Sequence, residues 1–151
     1  MRALGKRLAA QLRAGDLIVL AGPLGAGKTV LVSGLGAGLG VEGAITSPTF
    51  VIARVHGGGR LPLVHVDAYR LGTALEIDDL DLDAHLAESV TVVEWGAGLV
   101  EDLAPSWLRV EISRPTGAET GEVRRVRLIP SDAEWATRLA NAADRSPASD
   151  P

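Results

Sequence analysis

The chain has 151 residues, of which 46% are hydrophobic, 23% are charged and none is cysteine. This length fits one domain with an adequate core, and the lack of cysteine excludes disulfides and Cys-ligated metal sites. A net charge of −4, with no Lys/Arg run longer than Arg124-Arg125, argues against direct binding of nucleic acid by this chain alone. The start has no pattern of a secretory leader and no apolar run is long enough for a membrane span, so we expect a soluble cytoplasmic protein.

The first part of the chain predicts a helix, a buried strand and a second helix. Leucines recur every four residues within 3–13, which is a helical spacing. The short apolar run at 17–22 is typical of a buried strand. A helix is expected to begin near Lys28, although each glycine in its interior costs up to about 1 kcal/mol relative to alanine. We therefore expect packing against the sheet to stabilise this helix.

The rest of the chain predicts two strand pairs, one further strand and two helical segments. In chain order these are a hairpin of strands at 49–56 and 61–69, an acidic helical segment at 73–88, a buried strand at 90–95, a second hairpin of strands at 108–114 and 122–130, and a short helix after Ser131. Ser131 and Glu134 have the spacing of a capping box. The order of elements predicts an α/β sandwich with a mixed sheet, formed by one domain over 1–142 and followed by a disordered tail over 143–151.

Residues 22–29 read GPLGAGKT and match the phosphate-binding pattern G-x-x-x-x-G-K-[ST] between a predicted strand and a predicted helix. Backbone N–H groups of such a loop surround phosphate oxygens, the lysine contacts the β and γ phosphates, and the threonine hydroxyl can ligate Mg²⁺. Only Lys6 and Lys28 among the 15 basic residues are lysines, which argues against a chance match. The predicted nucleotide-binding residues of this loop are Gly25, Ala26, Gly27, Lys28, Thr29 and Val30.

Two predicted strands end in carboxylates, Asp67 after LVHV and Glu94 after VTVV. Ligands of open α/β sheets bind at the carboxyl ends of the strands, so both side chains are expected near the loop. One of them would hold Mg²⁺, directly or through water, and the other would position an attacking water. Each carboxylate by itself could equally be a solvated residue at a strand end.

Several neighbours of these residues leave alternatives open. Trp95 could cover a nucleotide or pack in the core, and Arg70 could reach a phosphate or be a surface charge. His65 is given no role. The acidic segment 76–88 is either a solvated helix face or a docking surface for a basic partner. Segment 43–50 supplies hydroxyl groups in the region where P-loop switches sense the γ-phosphate.

The absence of certain motifs reduces the number of P-loop protein classes to which this sequence could belong. The sequence has no N-K-x-D motif for guanine, which argues against a GTPase switch, and no lid with clustered arginines. A P-loop kinase acting on a small molecule stays open as the alternative.

Four blocks in this order, GPLGAGKT, SPTF, HVDAYR and VEW, resemble the TsaE family, also called YjeE, across nearly the whole chain. This is the P-loop ATPase family of bacterial tRNA threonylcarbamoyladenosine synthesis. The resemblance implies a P-loop NTPase-like three-layer sandwich, binding of ATP and Mg²⁺, and slow hydrolysis. It also implies action with the TsaD–TsaB transferase pair, with tRNA reached only through that pair.

The resemblance further implies roles for single residues. Lys28, Asp67 and Glu94 would be the catalytic residues, Thr29 and Glu94 would ligate Mg²⁺, and Trp95 would lie close to the nucleotide. Two positions depart from the family pattern. Pro23 stands where the family usually has aspartate, and Val30 stands where a second threonine is common.

Overall fold

The computed structural model describes residues 1–46, 53–69, 82–115 and 123–144. Its helices and strands, in chain order, are α1 (Arg2–Ala9), β1 (Leu17–Ala21), α2 (Lys28–Leu39), β2 (Ala53–His56), β3 (Leu63–Asp67), α3 (Asp83–Leu86), β4 (Val90–Glu94), a 3₁₀ helix (Glu101–Leu103), β5 (Trp107–Ser113), β6 (Arg125–Pro130) and α4 (Ala133–Asp144).

These strands form one mixed six-stranded sheet in the order β2-β3-β4-β1-β5-β6. The four inner strands are mutually parallel, and each outer strand pairs antiparallel with its neighbour through a hairpin. The parallel strands β1, β3 and β4 are almost entirely buried, as expected for strands covered on both faces. The sheet therefore places the carboxyl ends of β1, β3 and β4 side by side.

Apolar side chains cover both faces of the sheet. On one face, residues of α1, α2 and α4 pack with alternate residues of the strands, including Ile18, Leu20 and Val92. On the other face, the opposite residues of the same strands pack against Leu82, which immediately precedes α3, and against the segment that contains the 3₁₀ helix. This arrangement confirms the predicted α/β sandwich with a mixed sheet, although the second helical layer is thin within the described residues.

The predicted elements exist where the structure describes them, including both hairpins and the strand at 90–95. The predicted end of the first helix at 13 is wrong, because α1 ends at Ala9. Predictions on 47–52, 70–81, 116–122 and 145–151 lie outside the described residues, and these contain the SPTF block, Arg70 and the first part, 76–81, of the acidic segment. The domain boundary at 142 stays a prediction. Helix α4 continues two residues beyond it, through Asp144. Within the described parts of the chain, no helix is long and apolar enough to cross a membrane.

The glycines of α2 permit a close contact with α1 that was not predicted. A Cβ atom at Gly34 would lie 2.2 Å from the carbonyl oxygen of Arg2, and one at Gly38 would lie 2.4 Å from the Cβ of Ala9. Gly5 of α1 approaches α2 equally closely, with the carbonyl oxygen of Leu31 2.4 Å from a Cβ at that position. The glycines thus let α1 and α2 pack backbone to backbone, in addition to the packing of α2 on the sheet.

The cap of the last helix is also different from the prediction. The side chain of Asp132, not Ser131, accepts the N–H of Trp135 at 3.0 Å. Donation by the hydroxyl of Ser106 and by this N–H lowers the pKa of Asp132. Ser131 instead bonds β5, because its Oγ accepts the N–H of Trp107 at 2.8 Å. The capping residue therefore lies one position later than the spacing to Glu134 indicates.

Candidate active site

The glycine-rich loop connects the end of β1 to the start of α2, as the sequence predicts. A Cβ at Gly22 would lie 2.5 Å from the carbonyl oxygen of Ile112, so only glycine fits where the chain leaves the sheet. Gly27 has a φ of 106° and forms the N-cap of α2, a left-handed conformation that glycine adopts without strain. These two glycines aim the first turn of α2, and thus Lys28 and Thr29, at the edge of the sheet.

Lys28 is buried beneath the loop. Its Nζ donates to the carbonyl oxygens of Gly22 at 2.6 Å and of Pro23 at 3.0 Å, and lies 4.1 Å from the ring centroid of Trp95. Burial lowers the pKa of Lys28, while the nearby charges of Glu94 and Asp67 act in the opposite direction. The ammonium is therefore a positioned cation at the junction of the loop and the two strand ends.

The two predicted carboxylates are neighbours. Asp67 and Glu94 are directly paired in the parallel register of β3 and β4, which confirms that both emerge at one edge. The hydroxyl of Thr29 donates to Oε1 of Glu94 at 3.1 Å, and the backbone N–H of Tyr69 donates to Oδ1 of Asp67 at 2.9 Å. With only 3% of its surface exposed, Glu94 is a buried carboxylate whose orientation its partners define.

Trp95 covers the ammonium from one side and has a strained backbone. It is the only non-glycine residue with a positive φ, 61°, among those described, and such a conformation costs about 1–2 kcal/mol. Its ring meets that of Tyr69 edge to face, with centroids 5.1 Å apart. These contacts with Lys28 and Tyr69 compensate the strain and orient the indole toward the loop.

The turn that follows Trp95 is anchored by Glu101. This carboxylate accepts the backbone N–H groups of Gly98 at 2.8 Å and Val100 at 3.2 Å, and it pairs with the guanidinium of Arg109 at 2.8 Å. Burial acts to raise the pKa of Glu101, but these hydrogen bonds outweigh burial and lower it. The strand β5 thus holds the chain just beyond the aromatic residue.

A cavity of about 490 Å³ joins these groups. Its walls combine the loop and first turn of α2 with the ends of β3 and β4, through Leu24, Gly25, Gly27, Lys28, Thr29, Val30, Asp67, Tyr69, Glu94 and Trp95. Every predicted site residue except Ala26 lines this cavity. The side chain of Ala26 is buried in the core, and its N–H donates to the carbonyl oxygen of Pro23 at 3.1 Å. That these residues bind a nucleotide or a metal ion stays a prediction for every one of them.

Sequence reasoning missed three contributors to the site. Tyr69 supplies the N–H that orients Asp67 and the ring that meets Trp95, and a signal was available because it lies two residues after Asp67. Leu24, with 88% of its surface exposed, forms part of the rim. The carbonyl groups that bind Lys28 have no signature in the sequence, since any residue type provides them.

The fold and this loop define a class, the P-loop α/β proteins with a mixed central sheet. A solved structure titled Bacillus subtilis YdiB superposes with a TM-score of 0.76 over 95% of this chain and 86% of that chain, at 28% identity. The model of the family described as threonylcarbamoyl adenosine biosynthesis protein TsaE matches residues 1–125.

Relatives named tRNA threonylcarbamoyladenosine biosynthesis protein TsaE are similar over most of the chain. The protein of Streptomyces coelicolor is 60% identical over 91% of this chain and 95% of its own length. That of Bacillus subtilis is 40% identical over 75% of this chain and 71% of its own length. The chain belongs to the TsaE family.

Proposed function

We propose that the chain is a Mg²⁺-dependent ATPase that serves tRNA threonylcarbamoyladenosine synthesis as an accessory subunit of the TsaD–TsaB transferase pair. One observation carries the enzymatic part: the loop residues Lys28 and Thr29 and the carboxylates Asp67 and Glu94 line a single cavity. The pathway is supported by the family and by the names of the relatives. The proposal includes a cytoplasmic location, where tRNA is modified.

The oxygen donors at the edge of the sheet fit a magnesium ion. The hydroxyl of Thr29 and the carboxylate of Glu94 lie 3.1 Å apart, and hard oxygen ligands of this kind are those that Mg²⁺ prefers. When bound, Mg²⁺ would neutralise charge on the β and γ phosphates. Thr29 and Glu94 would hold it on the wall of the cavity, and Lys28 would contact the same phosphates from the loop side.

The reaction is hydrolysis of the bond between the β and γ phosphates. The oxygen of a water molecule bonds to the γ phosphorus, the bond to the bridging oxygen breaks, and ADP, phosphate and a proton are released. Asp67 would orient that water or the metal's hydration shell, because the N–H of Tyr69 fixes its carboxylate in direction. Lys28 would stabilise negative charge that develops on the phosphates.

We expect weak activity from the chain alone. P-loop enzymes gain about 10³–10⁵ in rate from an arginine that contacts the transition state. Within the described residues, no arginine lines the cavity, so we expect the partner complex to supply the stimulating group.

The test is ATP turnover measured with and without the TsaD–TsaB pair. Glu94→Gln should lower turnover at least about 10²-fold, the loss typical of removing one group that stabilises transition-state charge. Glu134→Gln, at an exposed position on α4, is the matched control and should keep normal turnover. Turnover of Glu94→Gln at the normal rate would contradict the proposed site. Turnover of the unmodified chain alone at 1–100 s⁻¹, typical of kinases, would contradict the accessory role.

A further inference from the structure

His65 is a buried residue beneath the candidate site to which no role has been given. It lies on β3 two residues before Asp67, so both side chains project from the same face of the sheet. None of its surface is exposed, and its Nε2 lies 3.6 Å from Oε2 of Glu94. This oxygen is the one that Thr29 does not contact, because the hydroxyl donates to Oε1.

An imidazole at this position is costly unless it interacts with a polar group. Both ring nitrogens are buried, and neither has a hydrogen bond within the usual length. A buried polar atom that loses its hydrogen bonds to water destabilises the folded state. An aliphatic side chain of similar size makes no such bonds and carries no such penalty. The separation from Glu94 exceeds the hydrogen-bond limit by only a few tenths of an ångström, so a small shift of either side chain brings Nε2 into range.

We propose that His65 is a positioning residue, which donates its Nε2–H to Oε2 of Glu94 and thereby fixes the carboxylate with Oε1 facing Thr29. The buried Glu94 is then restrained from both sides, by an imidazole below and by a hydroxyl above. The consequence for metal binding rests on the proposed function, whereas the contact between His65 and Glu94 does not.

Substitutions of His65 separate positioning from packing. His65→Leu fills the space without a donor, whereas His65→Gln places an amide N–H close to the position of Nε2. Groups that orient metal ligands commonly contribute 10- to 100-fold to metal affinity or activity. We therefore expect His65→Leu to raise the Mg²⁺ concentration for half-maximal ATP hydrolysis about tenfold, with the KM for ATP changed less than twofold at saturating Mg²⁺.

His65→Gln should restore what His65→Leu loses, because it supplies a donor again, and should recover most of the Mg²⁺ affinity. His65→Leu should unfold in urea at the same or a higher concentration than the unmodified chain, because its loss is one of positioning and not of stability. Calorimetry with ADP provides a readout besides turnover, since the gain in ADP affinity from added Mg²⁺ should shrink in His65→Leu and return in His65→Gln. His85→Leu, at an exposed histidine on α3, is the matched control and should change none of these quantities.

The hydrogen bond itself is tested by ¹⁵N NMR of the histidine side chains. We expect His65 to carry its proton on Nε2, with a resonance that shifts in Glu94→Gln. Equal Mg²⁺ dependence of the Leu and Gln variants, or a proton on Nδ1 alone, would overturn the positioning role. If the unmodified chain neither hydrolyses ATP nor binds ADP while the Nε2–H resonance responds to Glu94→Gln, the proposed function fails and the positioning of Glu94 stands.

Discussion

Two opposing effects act on the pKa of Lys28. Burial under the loop lowers its pKa, whereas the carboxylates of Glu94 and Asp67 favour the charged form. Its bonds to the carbonyl oxygens of Gly22 and Pro23 also require a donor, which a protonated amine supplies threefold. The ammonium is therefore oriented by the loop itself.

The contribution of Lys28 can be measured against the only other lysine. We expect Lys28→Ala to weaken ATP binding about 10- to 100-fold, because hydrogen bonds to charged groups are worth about 1.5–3 kcal/mol. Lys6→Ala, on the exposed side of α1, should leave the Kd unchanged. Isothermal titration calorimetry gives both values, and a Kd for Lys28→Ala within twofold of the unmodified chain would contradict a phosphate role.

Single residues of the site differ in how far the sequence predicts them. Lys28 belongs to a motif with fixed spacing, and Asp67 and Glu94 each end an apolar strand, so local pattern predicts that all three lie at the same edge of the sheet, where the structure places them. The left-handed backbone of Trp95 is not predictable, because tryptophan has no preference for that conformation. Contacts with Lys28 and Tyr69 impose it, and these depend on residues distant in the chain.

At the scale of elements, α2 shows how packing overrides intrinsic propensity. Gly34, Gly36 and Gly38 weaken the helix by propensity, yet it runs without interruption from Lys28 to Leu39. Gly34 and Gly38 face α1 at distances that exclude a Cβ, and a Cβ at Gly36 would collide with the side chain of Ile45. The helix that presents Lys28 and Thr29 is thus stabilised by close contacts rather than by its own composition.

Helix propensity and packing predict changes of opposite sign in the free energy of unfolding for Gly34→Ala. Propensity alone predicts stabilisation by up to about 1 kcal/mol. The clash with the carbonyl oxygen of Arg2 predicts destabilisation by about 1–3 kcal/mol, the usual cost of overpacking. Urea unfolding distinguishes the two. Gly57→Ala, where no atom lies within 4 Å of the added Cβ, should change stability by less than about 1 kcal/mol. A stabilised Gly34→Ala would refute the close packing of α1 and α2.

At the scale of the whole molecule, Arg138 links the C-terminal helix to the beginning of the sheet. Its guanidinium pairs with both carboxylate oxygens of Asp16 and donates through Nε to the carbonyl oxygen of Gln11 at 3.2 Å. It also lies 3.9 Å from the ring centroid of Trp135. The ion pair is buried and multiply bonded, so breaking it leaves an unpaired charge away from water.

We expect Arg138→Met to lower the free energy of unfolding by about 3 kcal/mol, since removal of one partner of a buried pair typically costs 3–5 kcal/mol. Arg13 and Glu134 form a second ion pair between the same parts of the chain, but their side chains are 65% and 64% exposed. Arg13→Ala should therefore cost less than about 1 kcal/mol. Denaturant unfolding measures both changes. Equal losses of stability would show that burial does not determine how much each ion pair contributes.

The sequence by itself determined the elements, the phosphate-binding motif and the acidic strand ends, because each depends on residues that are near one another in the chain. The sequence also predicts that both carboxylates lie near the loop, but only the tertiary structure decides which strands are neighbours. The strand order sets β4 between β3 and β1, and thereby places Asp67, Glu94 and the loop around one cavity.

The same holds for contacts that carry no local signal. Nε2 of His65 lies 3.6 Å from Oε2 of Glu94, Gly34 meets Arg2, and Arg138 pairs with Asp16 across 122 residues. A histidine, a glycine or an arginine has the same local pattern with or without such a partner. The partner is selected when the sheet and its two faces assemble, since burial then makes each unpaired charge or misplaced side chain costly.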